Sequence, residues 1–539
     1  MRHFYVFFLF FFGNAAAFAQ VLSSSNLPIL VFDMQGAPIL DEPKISSDFT
    51  LFYQPNQRNS LSDSPTLVCN AAIEFRGSSS QGFPKKSYAF ETRNTADSSN
   101  LNVSLAGLPA ENDWNLIAAY NDKTLMRDAL AYSFSAKLGN YAPKFTFCDL
   151  VVNGSYEGVY MLTESIKQGK NRVDIAKLKS TDLAGDSLTG GYIIKIDKTT
   201  GSPASSGGWE SPYSPIDGKP QTTFFQFHYP KPDVLAPVQK DYIQNYVTNF
   251  ENVLKSPNFA DTVNGYPKYL NIPAFIDYFI INELTKNVDG YRLSTFFYKD
   301  RDSKGGKLGF GPVWDYNISQ GNANYCNGEK VEGWAYKFND YCPEDGWVVH
   351  FWWDRLMQDP NFTKALKDRW QTLRRTTLKT DSIQLAINGF ATSLNEGQYR
   401  NFQRWDVLNQ WVWPNNYVGG TYQNEVTYLK NWYYARLEWL DAAFEVIYSN
   451  YDARAYTPPS IYPTVFTEQL FFSCHAMRNS KARILFYDSL GRQVLKQTFL
   501  CNADGANQFV FDAPLPKGVY FANVSINLGK STIIKLVKN

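Results

Sequence analysis

The run "ELTKNVDGYRLSTFFYKD" (Glu283–Asp300) changes its period in the middle. On its upstream side, "IPAFIDYFIINELTKN" (Ile272–Asn287) carries apolar residues at three-to-four spacing, which predicts a helix. On its downstream side, "LSTFFYKD" and "GKLGFGPVWDYN" (Gly306–Asn317) are short β-prone runs broken by turn residues. A buried helix that hands over to a strand hairpin places the chain in the α+β class. It also returns a second carboxylate, Asp315, toward the first, Asp289.

Strand signals dominate upstream. Residues 26–95 hold short β-prone runs such as "LPILVFD" and "KSYAFET", punctuated by Gly, Pro and Asn. "TLMRDALAYSFSAKLGN" (Thr124–Asn140) has helical spacing and a Gly-Asn stop. "FCDLVVNGSYEGVYMLTESI" (Phe147–Ile166) reads as strand, Asn-Gly turn, strand, and "GGYIIKIDK" (Gly190–Lys198) as a further strand. Residues 200–222 are rich in Gly, Ser and Pro and are expected to form a loop. Helices resume with "VQKDYIQNYVTNFENVLKS" and, after an Asn/Gly/Cys-rich region, "NEVTYLKNWYYARLEWLDAAF". A Pro-rich linker, "YTPPSIYPT", separates these from about 75 C-terminal residues with the short alternating runs of a small all-β sandwich.

The whole chain narrows the function classes. Its 539 residues allow about three domains. A formal net charge of +1 argues against a nucleic-acid partner. The four histidines are scattered and no C-x-x-C occurs, which argues against a zinc site. The start "MRHFYVFFLFFFGNAAAFAQ" reads as a signal peptide over residues 1–19, cleaved before Gln20 after Ala17-Phe18-Ala19. No later run is long and apolar enough to span a membrane. Export permits disulfides. Proximity among the six cysteines favours Cys326–Cys342 and Cys474–Cys501, leaving Cys69 and Cys148.

Three groups are candidates for chemistry. Asp289 and Asp315, if brought into one cleft, either hold a divalent cation through hard oxygen ligands or divide proton transfer and metal binding. The plainer readings are a turn aspartate for Asp289 and a loop cap for Asp315. "IEFRGSSSQGFPKKSYAFE" (Ile73–Glu91) runs a strand into Arg76-Gly77-Ser78-Ser79-Ser80 and returns through Lys85-Lys86. Small residues let backbone N–H groups approach an anion, and a returning lysine meets phosphate as a point charge. The loop fits neither the P-loop nor the Rossmann spacing, and an ordinary Ser-rich turn is the alternative.

The motifs taken together resemble the spore-coat protein H (CotH) kinase-like family in the form found in secreted Bacteroidetes proteins. "FRGSSSQGFPKKSYAFET", "DWNLIAAYNDKTLMRDALAYSF", "YEGVYMLTESI", "GGYIIKIDK", "NVDGYRLSTFFYKD" and "GPVWDYNISQGNANYCNG" run in the family's order over roughly residues 27–445. The resemblance implies an atypical protein-kinase-like domain that binds ATP with Mg or Mn and transfers the γ-phosphoryl group to a protein. Asp289 would be the catalytic aspartate and Lys86 the phosphate-contacting lysine. Arg76, Gly77, Ser78 and Ser79 would cover the nucleotide. Glu164 would pair with a lysine or line its pocket, and Asp315 and Asn317 would serve the metal. Two positions depart from the pattern: Ser294 stands where ordinary kinases place a metal-binding asparagine, and Asn317 stands where relatives carry a second acid.

The tail, "ARILFYDSLGRQVLK…LPKGVYFANVSINLGKSTIIKLVKN", resembles the C-terminal sorting domain of type IX secretion. This sets the domains as a kinase-like unit over 27–445, a linker over 446–464 and a sorting domain over 465–539. The protein would pass through the periplasm to the outer surface or the medium, with the secretion machinery as a partner. Two other readings compete with the kinase. One is a surface structural or adhesive protein, to which the aromatic runs "WVVHFWWDR" and "QWVWP" would contribute if exposed. The other is a carboxylate-pair glycosidase.

Overall fold

In the computed structural model, the described residues are 22–199, 207–449, 459–476, 480–502, 505–526 and 531–539. The leader expected over residues 1–19 and residues 450–458 of the expected linker lie outside them. The first unit is a closed barrel of seven strands. Its order is Ile29–Asp33, Ile45–Phe52, Leu67–Arg76, Ser87–Arg93, Asp113–Ile117, Ser155–Glu164, Phe145–Val152. The circle closes where residues 29–32 pair in parallel with residues 149–152. Alternation along each strand sends Phe32, Phe49 and Phe90 inward, where their rings meet at 4.9, 5.0 and 5.6 Å. The Asn153-Gly154 turn joins the last two strands with φ of 48° and 76°, the conformation a two-residue hairpin needs.

A five-stranded sheet follows, in the order Gly208–Glu210, Phe224–Tyr229, Tyr192–Ile196, Thr295–Lys299, Leu308–Phe310. Residues 200–222 are therefore not all loop. Gly208–Glu210 pairs with residues 224–226. A Cβ at Gly208 would lie 1.9 Å from the Phe225 carbonyl oxygen, so only glycine allows that approach. Composition alone hid this strand.

The helix Ile272–Thr285 is buried on nearly every side, which explains its almost continuous apolar sequence. The helices Pro360–Arg375 and Tyr422–Ser449 pack around it, and Thr380–Arg404 lies along the barrel strand Ser155–Glu164. The cluster "WVVHFWWDR" is mostly core. Trp352 and Trp353 are fully buried, while Trp347 is 47% exposed.

The tail forms two sheets of three and five strands around Leu470, Phe472, Ile484, Phe486 and Leu536, a sandwich as expected. Tyr422–Ser449 continues past the boundary expected at 445, and the strand Ser460–Tyr462 begins inside the segment expected to be linker. Cys326 and Cys342 form a disulfide. Cys474 and Cys501 are both buried, and their thiols share a hydrogen bond rather than the expected S–S bond. Among the described residues, no helix is long and apolar enough to cross a membrane.

Candidate active site

Three chain segments deliver carboxylates to one cleft between the barrel and the helical half. The first is the turn that ends the helix Ile272–Thr285. Lys286 leaves the helix in the left-handed conformation, φ 44°. The Asp289 N–H then donates to Asn287 Oδ1 at 3.2 Å, and its carbonyl accepts from Leu293 N at 2.9 Å. Asp289 Oδ1 is held by Arg292 Nη2 at 2.7 Å. Arg292 is almost wholly buried and is fixed in turn by Asp345 Oδ1 at 3.3 Å, the Trp347 carbonyl at 2.8 Å and the face of Phe338. An arginine clamped on several sides leaves its carboxylate partner one orientation.

The second segment follows the strand Leu308–Phe310. Asp315 has φ 66°, and Tyr291 and Ser294 in the facing turn have φ of 70° and 46°. L residues rarely adopt this region, and such strain persists where surrounding structure over-determines it, often at functional positions. It aims Asp315 into the cleft, where Oδ2 accepts from Ser294 Oγ at 3.4 Å. The Asp315 carbonyl accepts from Asn287 Nδ2 at 3.4 Å.

The third segment is the end of "GGYIIKIDK". Asp197 Oδ1 accepts from the Ser294 N–H at 3.5 Å, and its Oδ2 lies 3.5 Å from Lys195 Nζ. Ser294 thus stands between Asp197 and Asp315.

Electrostatics tie these groups together. Asp315 opens to solvent but sits deep among protein atoms. Limited hydration and the neighbouring Asp289 raise its pKa to about 6, against the pull of Arg76. Burial also raises Asp289, with Arg292 and then Lys198 opposing. The Arg76 guanidinium lies 5.2 Å from the centroid of Trp314, beside these acids. Burial and Asp315 push Asp128 up to about 8, and Asp128 accepts the Tyr316 N–H.

The donor set is all oxygen, with Asp289, Asp315, Asp197 and the Ser294 hydroxyl, and this suits a hard cation such as Mg or Mn. Among the described residues, no group of three or more His, Cys, Asp or Glu side chains makes a metal cage. An ion that keeps several waters and phosphate oxygens needs only one or two carboxylates, so the residues fit. The Asn317 amide nitrogen donates to Asn121 Oδ1 at 2.9 Å, which leaves Oδ1 as the atom it has for a cation.

Of the residues singled out from sequence, Asp289, Asp315, Arg76 and the Gly77–Ser79 loop come together here. Gly77 has φ 98°, and a Cβ there would lie 2.0 Å from Ser80 Oγ. Lys86 does not join the acids. It lies two residues before Tyr88, whose ring is in the barrel core, and its Nζ donates to the Gln81 carbonyl at 2.5 Å. Its neighbour Lys85 is buried on the Ala118 and Val159 carbonyls and Asn401.

Glu164 pairs with an arginine, not a lysine. It is fully buried, 3.0 Å from Arg172 Nη2, and accepts from Tyr141 OH and Lys144 N, so it presents no surface to a nucleotide. Asp197, Lys198, Arg292 and Asp345 went unnoticed in the sequence. The first two end a quoted motif, and Arg292 sits three residues after Asp289. Asp345 arrives only through the tertiary fold.

The sequence model of the family described as CotH kinase protein matches residues 73–440. The chain belongs to that family. The secretion system C-terminal sorting domain matches residues 460–539, which marks the chain for type IX export to the cell surface or the medium. An inner spore coat protein H of Bacillus subtilis (strain 168) is 34% identical over 98 residues, 18% of this chain and 24% of that protein. That match spans about a quarter of the relative's length.

Proposed function

We propose that the chain is an exported atypical protein kinase that transfers the γ-phosphoryl group of ATP to a protein hydroxyl, with Mg or Mn. The supporting observation is the convergence of Asp289 and Asp315 in a cleft rimmed by Arg76 and the Gly77–Ser79 loop. Asp289 acts as general base. The acceptor oxygen forms a bond to phosphorus, the bond from phosphorus to the β,γ-bridging oxygen breaks, and its electron pair leaves with ADP. The hydroxyl proton passes to the Asp289 carboxylate, whose raised pKa suits it to receive one. Arg292 keeps that carboxylate oriented. When bound, the cation neutralises the terminal phosphates, and Asp315 with Asn317 would hold it.

A second reading, a surface protein that keeps the fold without the chemistry, is favoured by the exposed side chains Trp411 and Trp413 and by the neutral Asn317. Thermal shift of the mature protein with ATP, with and without Mg or Mn, separates the two. The kinase reading expects a Mg-dependent rise that Asp289→Ala keeps and Asp315→Ala loses, followed by transfer of radiolabel to protein. No shift with any nucleotide or metal would leave the second reading.

A further inference from the structure

Lys198 follows Asp197 at the end of the strand Tyr192–Ile196 and stands at the mouth of the cleft. Its ammonium donates to Ser79 Oγ, across on the barrel loop, at 2.9 Å. It also lies 5.3 Å from the centroid of the Trp347 ring. After Arg292, it is the next cation to act on Asp289. A single side chain therefore bridges the two walls of the cleft directly beside the acids.

The bridge is a weak one. It is solvent-accessible and joins a cation to a neutral hydroxyl, so water competes for both partners. A phosphate oxygen is the stronger acceptor for an ammonium. The other basic side chains nearby are placed differently. Arg292 is held by Asp289, Asp345 and Trp347. Lys195 faces Asp197. Lys86 is turned to a carbonyl of its own turn. Arg76 lies on Trp314.

We propose that Lys198, rather than Lys86, is the lysine that meets the terminal phosphates of ATP, with Arg76 as its companion on the opposite wall. The inference rests on the nucleotide-binding reading above. Ser79 holds the ammonium across the mouth before the nucleotide arrives. On binding, Lys198 exchanges that hydroxyl for phosphate oxygens, and the small residues Gly77, Ser78 and Ser79 let the loop's backbone approach the same anion.

Calorimetric titration of the full mature chain with ATP in Mg tests this. Lys198→Met is expected to weaken ATP binding about 10- to 100-fold, the loss of a charge-assisted contact. It should leave adenosine affinity and the nucleotide-free melting temperature unchanged. Lys198→Arg should recover part of the loss. Lys364→Met, which removes a charge from the remote helix Pro360–Arg375, should bind ATP as the parent does. Parental ATP affinity in Lys198→Met, or a loss seen in Lys86→Met instead, would overturn the assignment. A parent chain that binds no nucleotide would remove the kinase reading itself, an outcome distinct from both.

Discussion

Glu251 illustrates how a single buried side chain sets a pH response. It lies on the helix Pro237–Lys255, fully enclosed, and accepts from Trp352 Nε1 at 2.8 Å and from Ser211 Oγ at 2.9 Å. Burial outweighs those two bonds and raises its pKa from 4.5 to about 7. Unfolded, the same carboxyl ionises near its ordinary value. Above about pH 7 the folded chain therefore carries a charge it would rather not bury, at a cost of ~3 kcal/mol. That cost shrinks as the pH falls below 7 and is nearly gone by pH 4.5, below which both states are protonated. Glu251→Gln keeps the acceptor oxygen and removes the charge. Its melting temperature should exceed the parent's at pH 8, and the gap should close by pH 4.5. A gap independent of pH would show that Glu251 does not titrate in this range.

At the scale of elements, the segment between Cys326 and Cys342 braces the helix Ile272–Thr285, whose end leads into the Asp289 turn. The Ala335 and Tyr336 N–H groups donate to the buried Glu283 carboxylate at 2.7 and 2.9 Å. Arg436 bonds the Val331 and Gly333 carbonyls and pairs with Glu283. Glu283 belongs to the helix whose end presents Asp289. Asp345, which fixes Arg292, follows Cys342 closely. The bridge closes a separation of 16 residues, a loop length for which chain entropy contributes about 3 kcal/mol. Reduction, or the double change Cys326→Ser and Cys342→Ser, should lower the urea midpoint accordingly. Equal midpoints for the reduced and oxidised protein would mean that the surrounding packing alone holds the segment.

At the scale of the whole molecule, the chain couples a CotH unit to a separately cored sorting sandwich. Removing residues 460–539 should leave the remaining protein in the periplasm, read by immunoblot of fractionated cells. Its appearance at the surface or in the medium would refute a sorting role for the tail.

Much of this was legible in the linear order of residues. The period change at Glu283–Asp300, the Asn-Gly hairpin at Asn153-Gly154 and the alternating tail are local patterns. Local patterns survive folding because they follow from backbone geometry and from which face must be buried. Family motifs likewise pointed to Asp289 and Asp315. Tertiary structure alone decided which charges meet. Lys85 and Lys86 are adjacent in sequence, yet one is buried against the Thr380–Arg404 helix and the other turns to its own loop. Lys198 lies more than a hundred residues from the Ser79 hydroxyl it bonds. Glu164 takes its partner from Arg172, and Asp289 is oriented through Arg292 by Asp345. Such pairings depend on strand register and barrel closure, which no short window of sequence encodes.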